Sequence, residues 1–325
     1  MKIVVVGAGS WGTAFSIYLS RIFPEVFLFV RRRDVLELIK DRKENPIYLP
    51  GVPLPDNLFL VGEKDKIEDF DIIVNAIPVQ FIRNFYSGLT LKGLIVNLSK
   101  GIEIKSKMRV SEIFKQLFPD AEYCVISGPS FALEVAMGKP TACVVSSENK
   151  EIGIRVQRLF SSTFFRLYYN PDMVGVELGG SLKNVIAIAC GICDGLGLGY
   201  NARASLLNRG LIEMARFGKF MGANVSTFFG LSGLGDLVLT ATGDLSRNRR
   251  FGISIGSGVS VDEALSGRGV VEGVWTARAV YEIAREFGIE MPITEEVYRV
   301  VFESKDPKES IEKLMRRELK VEFDF

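Results

Sequence analysis

Hydrophobic positions in the first half of the chain fall in short, β-branched blocks, at residues 2–6, 25–30, 71–76, 94–98, 124–126 and 141–146. Apolar runs of that length without alternation are the signature of strands buried on both faces. Amphipathic stretches separate them, and Pro78 and Gly128-Pro129 fall at strand ends, so the pattern predicts a parallel sheet flanked by helices. From about Pro171 the texture changes: strand-like runs cease and helical spacing takes over at 181–193 and 202–219. Another helix is expected after Pro292, with Thr294 as N-cap and Glu295 and Glu296 in the first turn, where their charge suits the helix dipole. The expected organisation is an α/β, doubly wound parallel sheet over 1–173 followed by a mostly α-helical domain over 174–325. A chain of 325 residues also exceeds what one core usually spans.

Composition narrows the function more than the fold. With 47% hydrophobic and 24% charged residues the chain reads as an ordinary folded protein. Forty basic against thirty-nine acidic residues leave a net charge of +1, which offers no electrostatic reason to expect nucleic acid or an anionic membrane as partner. Charges or glycines break every apolar stretch before it reaches bilayer length, so no membrane insertion is expected. The opening apolar run, interrupted by glycine after Val6, reads as a buried strand and not as a signal sequence. Four cysteines without a secreted-domain framework fit a reducing compartment, the cytoplasm.

The chain has no histidine. That removes the commonest general acid/base and the commonest metal ligand together, so no metal is expected and proton transfer falls to Lys, Asp, Glu, Tyr or Cys. Cys190 and Cys193 form a C-x-x-C, but inside an apolar helical segment with no second pair nearby; packing explains them better than metal or redox chemistry.

One motif points to a ligand directly. Gly7-Ala8-Gly9-Ser10-Trp11-Gly12 is a G-x-G-x-x-G placed after a strand and before a helical pattern. Gly7 permits the tight turn, Gly9 lets backbone approach a pyrophosphate, and Gly12 allows close packing of helix on strand, with the phosphate charge at the helix N-terminus. Ser10 and Trp11 belong to the same loop. A Rossmann-type dinucleotide site is therefore expected. At the end of the second strand, where a carboxylate would bond the ribose of NAD, the chain has Arg31-Arg32-Arg33, with Asp34 in the following helix. Arginine there can pair with a 2′-phosphate, so NADP(H) is the preferred cofactor and NAD(H) the second.

The remaining glycine-rich segments place polar side chains beside close-approach backbone: Ser99-Lys100-Gly101; Ser127-Gly128-Pro129-Ser130-Phe131-Ala132; the run 177–187 containing Lys183-Asn184; Asn201-Ala-Arg-Ala; the run 230–236 ending in Asp236; Ser246-Arg247-Asn248-Arg249-Arg250; and Val270-Val-Glu272-Gly. In this order, and running nearly end to end, they resemble the NAD(P)-dependent glycerol-3-phosphate dehydrogenase family in its bacterial form. The resemblance implies interconversion of sn-glycerol 3-phosphate and dihydroxyacetone phosphate, as a source of glycerol 3-phosphate for phospholipid synthesis. It implies Lys183 as the residue that exchanges the proton, which agrees with the chemistry, because an ammonium at a carbonyl oxygen stabilises developing alkoxide charge and can then supply the proton. It further implies that Lys100 touches substrate and cofactor and that Gly128, Ser130, Asp236, Ser246, Arg247 and Asn248 contact substrate. Ala132, Arg247, Val270 and Glu272 would border the cofactor. A small phosphorylated partner and a homodimer are implied by the same resemblance.

Two other functions share parts of the pattern. Another reductase of this architecture, acting on a small keto or hydroxy acid, would carry the nucleotide loop but lack the Ser-Arg-Asn-Arg-Arg and Gly-Leu-Gly-Asp pair. A non-catalytic NADPH-binding redox sensor has no need of a lysine beside a carbonyl site.

Overall fold

The computed structural model describes residues 1–266, 269–319 and 321–322. The chain divides into two compact units, Met1–Ser99 with Val110–Met173, and Lys100–Arg109 with Val174–Phe325. The excursion of 100–109 into the second unit leaves no trace in the hydrophobic pattern.

In the first unit the strands are β1 Ile3–Val6, β2 Val26–Phe29, β3 Glu44–Asn45, β4 Leu49–Pro53, β5 Leu58–Val61, β6 Ile72–Asn75, β7 Leu94–Asn97, β8 Tyr123–Ser127, β9 Thr141–Ser146 and β10 Phe165–Tyr169. Among the described residues eight of them form one sheet in the order β10-β9-β8-β7-β6-β1-β2-β5. Every pairing in it is parallel except β8 with β9. The central strands β1, β6 and β7 are buried along their whole length, as their unbroken apolar runs require. The two outer strands escape the sequence pattern for opposite reasons. Leu58–Val61 is a short edge strand whose Phe59 is exposed, and Phe165–Tyr169 alternates buried and exposed positions as a half-covered edge does. The helices are α1 Ser10–Leu19, α2 Arg33–Arg42, α3 Val79–Tyr86, α4 Val110–Leu117, α5 Ala132–Ala136 and α6 Lys150–Phe160.

The second unit is helical: α7 Met173–Gly195, α8 Gly199–Phe220, α9 Asp236–Thr242, α10 Arg247–Gly256, α11 Val261–Leu265, α12 Glu272–Phe287, α13 Pro292–Phe302 and α14 Pro307–Met315. Its core is built on α7, whose Leu182, Val185, Ile186 and Ile188 pack with Phe217, Phe228 and Phe251. By length and composition alone α7 could cross a bilayer, contrary to the expectation that no stretch qualifies; its apolar window is wholly buried inside the protein. Cys190 and Cys193 are buried free thiols, Cys190 within this core, and burial pushes the Cys190 thiol up to about 12, which leaves it inert.

The N-cap expected at Thr294 is not there. Helix α13 starts at Pro292 with Met291 in the capping position. The Glu213 carboxylate, buried on α8, accepts instead from the backbone N–H groups of Ile293 and Thr294, both at 2.8 Å, and from the Thr294 hydroxyl at 2.6 Å. A carboxylate from a distant helix satisfies the free donors of the first turn more fully than a local hydroxyl would.

Candidate active site

In the first unit, β1 delivers the chain to the glycine loop and Gly9 stands at the N-cap of α1. A Cβ on Gly12 would lie 1.9 Å from the Gly7 carbonyl oxygen, so the helix presses on the loop as only glycine allows, whereas a Cβ on Gly9 would meet nothing within 4 Å. The first turn of α1 has neither an acidic residue nor a side-chain cap, which leaves its N–H groups and dipole to an anion. The loop is braced from below. Asn45, buried in β3, donates to the Ala8 carbonyl at 2.9 Å and to the Thr13 hydroxyl at 2.8 Å, and the Ser10 hydroxyl donates to the Tyr48 carbonyl at 2.6 Å. Trp11 packs its ring on Phe15, centroids 5.5 Å apart. These residues fit a dinucleotide pyrophosphate.

Arg31 and Arg32 are exposed beyond β2. Arg32 is not isolated: its guanidinium forks onto Asp34 in the first turn of α2, with Nε 3.1 Å from Oδ1, and holds that carboxyl below its ordinary range. At the carboxyl ends of β6 and β7, paired Asn75 and Asn97 form a buried polar knot, Asn75 donating to Asn97 at 2.8 Å and to the Ser99 hydroxyl at 3.0 Å. Neither asparagine stands in a motif; the signal in the sequence is their identical place at the end of Ile-Ile-Val-Asn and Leu-Ile-Val-Asn. Gly128 and Ser130 lie in the turn after β8, where the Ser130 hydroxyl donates to the Gly128 carbonyl at 2.9 Å, and Ala132 opens α5.

In the second unit, four side chains meet. Lys183, on the buried face of α7, pairs with Oδ1 of Asp236 and donates to the Thr240 hydroxyl at 2.7 Å. Lys100 takes the other oxygen of the same carboxylate at 2.5 Å. Asp236 is 1% exposed and opens α9, with Thr240 one turn further along the same face. Burial pushes the Lys183 ammonium down to about 7; Asp236 pulls it back toward its ordinary value and Lys100 opposes that pull.

Local structure aims each of these groups. Leu231–Gly235 forms a wide π-type turn ahead of α9, and a Cβ on Gly179 would stand 2.8 Å from the Ser232 carbonyl oxygen, so the turn lies directly on α7 and faces Asp236 toward Lys183. Lys100 is held through its own segment: Ile102 bridges Arg109, and Arg109 pairs with Glu177 on α7 at 2.9 Å, both side chains largely buried. Thr240, Arg109 and Glu177 were not singled out in the sequence. The spacing of Asp236 and Thr240 was the available clue for the first; the pair joins residues 68 apart and had none.

Ser246 caps α10, accepting from the Arg249 N–H at 3.2 Å. Arg247 follows, exposed at the helix start. The Asn248 amide donates to the Asn184 side chain at 2.8 Å and accepts from the Gly273 N–H at 3.0 Å, so it ties α10 to α7 and α12. Glu272 opens α12, with Val270 half-buried just before it.

A dinucleotide loop on a doubly wound sheet, with a buried lysine–carboxylate cluster on a helical unit, defines a two-domain nicotinamide-dependent dehydrogenase. The chain belongs to the NAD-dependent glycerol-3-phosphate dehydrogenase family: profiles of that family's N-terminal and C-terminal parts match residues 2–153 and 172–312. It is 44% identical over 330 residues to glycerol-3-phosphate dehydrogenase [NAD(P)+] of Geobacter sp. (strain M21), covering 99% of this chain and 98% of the relative. It is 46% identical to the enzyme of the same name from Geobacillus kaustophilus, with 99% and 96% covered. The solved structure of glycerol-3-phosphate dehydrogenase from Coxiella burnetii superposes with a TM-score of 0.92 at 38% identity, covering 97% of this chain and 99% of that one.

Proposed function

We propose that the protein interconverts dihydroxyacetone phosphate and sn-glycerol 3-phosphate. The observation that carries this reading is the buried Lys183 ammonium, held between Asp236 and Thr240 and brought down to about 7. A dinucleotide bound at the glycine loop supplies or accepts the hydride. Lys183 gives its proton to the carbonyl oxygen as alkoxide charge develops there, and takes the proton back when the alcohol is oxidised. Its lowered pKa suits both directions at neutral pH. Lys100, on the other oxygen of Asp236, adds a second positive charge beside the reacting oxygen and keeps the carboxylate turned toward Lys183. Arg247 and Asn248, at the start of α10, take the substrate phosphate, where a guanidinium fork, an amide and the helix dipole act together. Gly128, Ser130 and Ser246 complete the substrate contacts, and Ala132, Val270 and Glu272 border the cofactor.

NADPH is the preferred reductant in this reading, on the strength of Arg31 and Arg32. A homodimer in the cytoplasm, feeding glycerol 3-phosphate into phospholipid synthesis, is the setting that fits. The test is oxidation of NADPH on addition of dihydroxyacetone phosphate by native protein and by Lys183→Ala. Turnover by the native protein, reduced about 100-fold or more in a variant that still binds NADPH, is expected from the loss of a positioned proton donor. Turnover of unphosphorylated keto acids alone, or NADPH binding without any turnover, would replace this reading with a keto-acid reductase or a redox sensor.

A further inference from the structure

Helices α7 and α10 touch backbone to backbone. A Cβ on Gly191 would come within 2.2 Å of the Arg249 carbonyl oxygen, on Gly252 within 2.2 Å of that of Ile188, on Gly195 within 2.3 Å of that of Ile253, and on Gly256 within 2.4 Å of that of Ile192. Two glycines four residues apart on each helix therefore form one seam with no side chain between the two backbones.

Two polar ties accompany the seam. Toward the cluster, Asn248 bonds Asn184, the neighbour of Lys183, and receives the Gly273 N–H. Further along α7, Asp194 accepts from Arg249 in the first turn of α10, at 2.9 Å from Nε and 2.8 Å from the terminal nitrogen, and from Arg203 of α8 at 3.1 Å. The helix that carries Lys183 and the helix that opens with Arg247 are thus fixed in register.

We propose that this glycine seam is a ruler: it sets the span between the Lys183 ammonium and the anion-binding start of α10, and so selects ketone phosphates with one methylene between the carbonyl carbon and the phosphate ester oxygen. The inference rests on the reaction proposed above and adds the residues that determine its length specificity. Side-chain packing between helices can give by changing rotamers; a backbone-on-backbone contact has no such freedom. Gly191, Gly195, Gly252, Gly256, Asp194 and Arg249 are positioning residues that touch neither substrate nor cofactor.

The experiment compares native enzyme, Gly252→Ala and Asp194→Asn on dihydroxyacetone phosphate, on its homologue with a second methylene before the phosphate, and on unphosphorylated dihydroxyacetone. Misplacing a reacting group by about 1 Å can cost roughly 100-fold, so Gly252→Ala is expected to lose kcat/KM on dihydroxyacetone phosphate by about that factor. Its preference for the shorter phosphate over the longer should fall about tenfold or more, with little change on the unphosphorylated ketone. Asp194→Asn adds no volume and should shift the same ratio in the same direction by a smaller factor. It decides the matter if a melting curve shows Gly252→Ala unfolded. Native turnover of dihydroxyacetone phosphate with an unchanged short-to-long ratio in the folded variants overturns the ruler alone. A native protein inactive on dihydroxyacetone phosphate overturns the reading of the reaction, and the ruler with it.

Discussion

Lys183 donates to the Thr240 hydroxyl at 2.7 Å, and that bond fixes where the ammonium points. Thr240 in turn faces Asp236 at 3.3 Å, so its hydroxyl hydrogen is directed to the carboxylate and its lone pair to the lysine. Replacing Thr240 by Val removes this acceptor while keeping the shape. A hydrogen bond to a charged group contributes about 1.5–3 kcal/mol, so kcat should fall roughly 10- to 100-fold. The KM for NADPH should not move, and Thr240→Ser should restore most of the rate. Steady-state kinetics on the two variants check this; a Val variant with native kcat would remove Thr240 from the proton path.

The lowered pKa of Lys183 has a sign that differs with direction. With Lys183 as the proposed proton donor, ketone reduction requires the protonated lysine, so its rate should decline as pH rises through about 7, whereas alcohol oxidation should decline as pH falls through the same value. Asp236 favours the charged lysine. Asp236→Asn should therefore move the reduction limb to lower pH, besides lowering the rate. Profiles of kcat against pH in both directions measure this, and a limb displaced upward in the Asn variant would contradict the assigned electrostatics.

In the reading proposed above, cofactor choice turns on a competition at the end of β2. Arg32 is engaged by Asp34, an exposed pair of small intrinsic strength that a 2′-phosphate can displace. Replacing Arg31 and Arg32 together by Ala should lower kcat/KM for NADPH more than for NADH, and Asp34→Ala should raise the NADPH-to-NADH ratio by freeing Arg32. An unchanged ratio in both variants would show that neither arginine reads the 2′-phosphate.

The phosphate assignment separates Arg247 from the lysines. Arg247→Lys keeps the charge but loses the planar fork that can make two bonds to phosphate oxygens, so it should still impair turnover of dihydroxyacetone phosphate. Arg247→Ala should cut kcat/KM steeply for the phosphorylated ketone and little for dihydroxyacetone, because binding energy at the phosphate orients the carbonyl. Equal losses on the two ketones would place Arg247 elsewhere.

Much of the fold was legible in one dimension because its signals are local. The glycine loop is read from six consecutive residues, the buried central strands from unbroken apolar runs, and the helical half from the change of period at about residue 171. Strands Leu58–Val61 and Phe165–Tyr169 lie at sheet edges, where partial exposure removes the continuous apolar pattern that made the others visible. Thr294 looked like a cap by residue type, and Glu213, 81 positions away, took the role.

The residue types of the site were in the sequence as well: a chain without histidine leaves proton transfer to Lys, Asp, Glu, Tyr or Cys, and the family resemblance of the motifs pointed to Lys183, Asp236 and Arg247. What the sequence could not set is the condition of those groups. That Lys100, Lys183 and Thr240 converge on one carboxylate from positions as much as 136 residues apart is decided only by packing. Burial then pushes the Lys183 ammonium down to about 7. Local chemistry travels along the chain with its residues, whereas desolvation and distance depend on what folds against them, so the sequence named the residues of the candidate site and the tertiary structure decided their burial and their spacing.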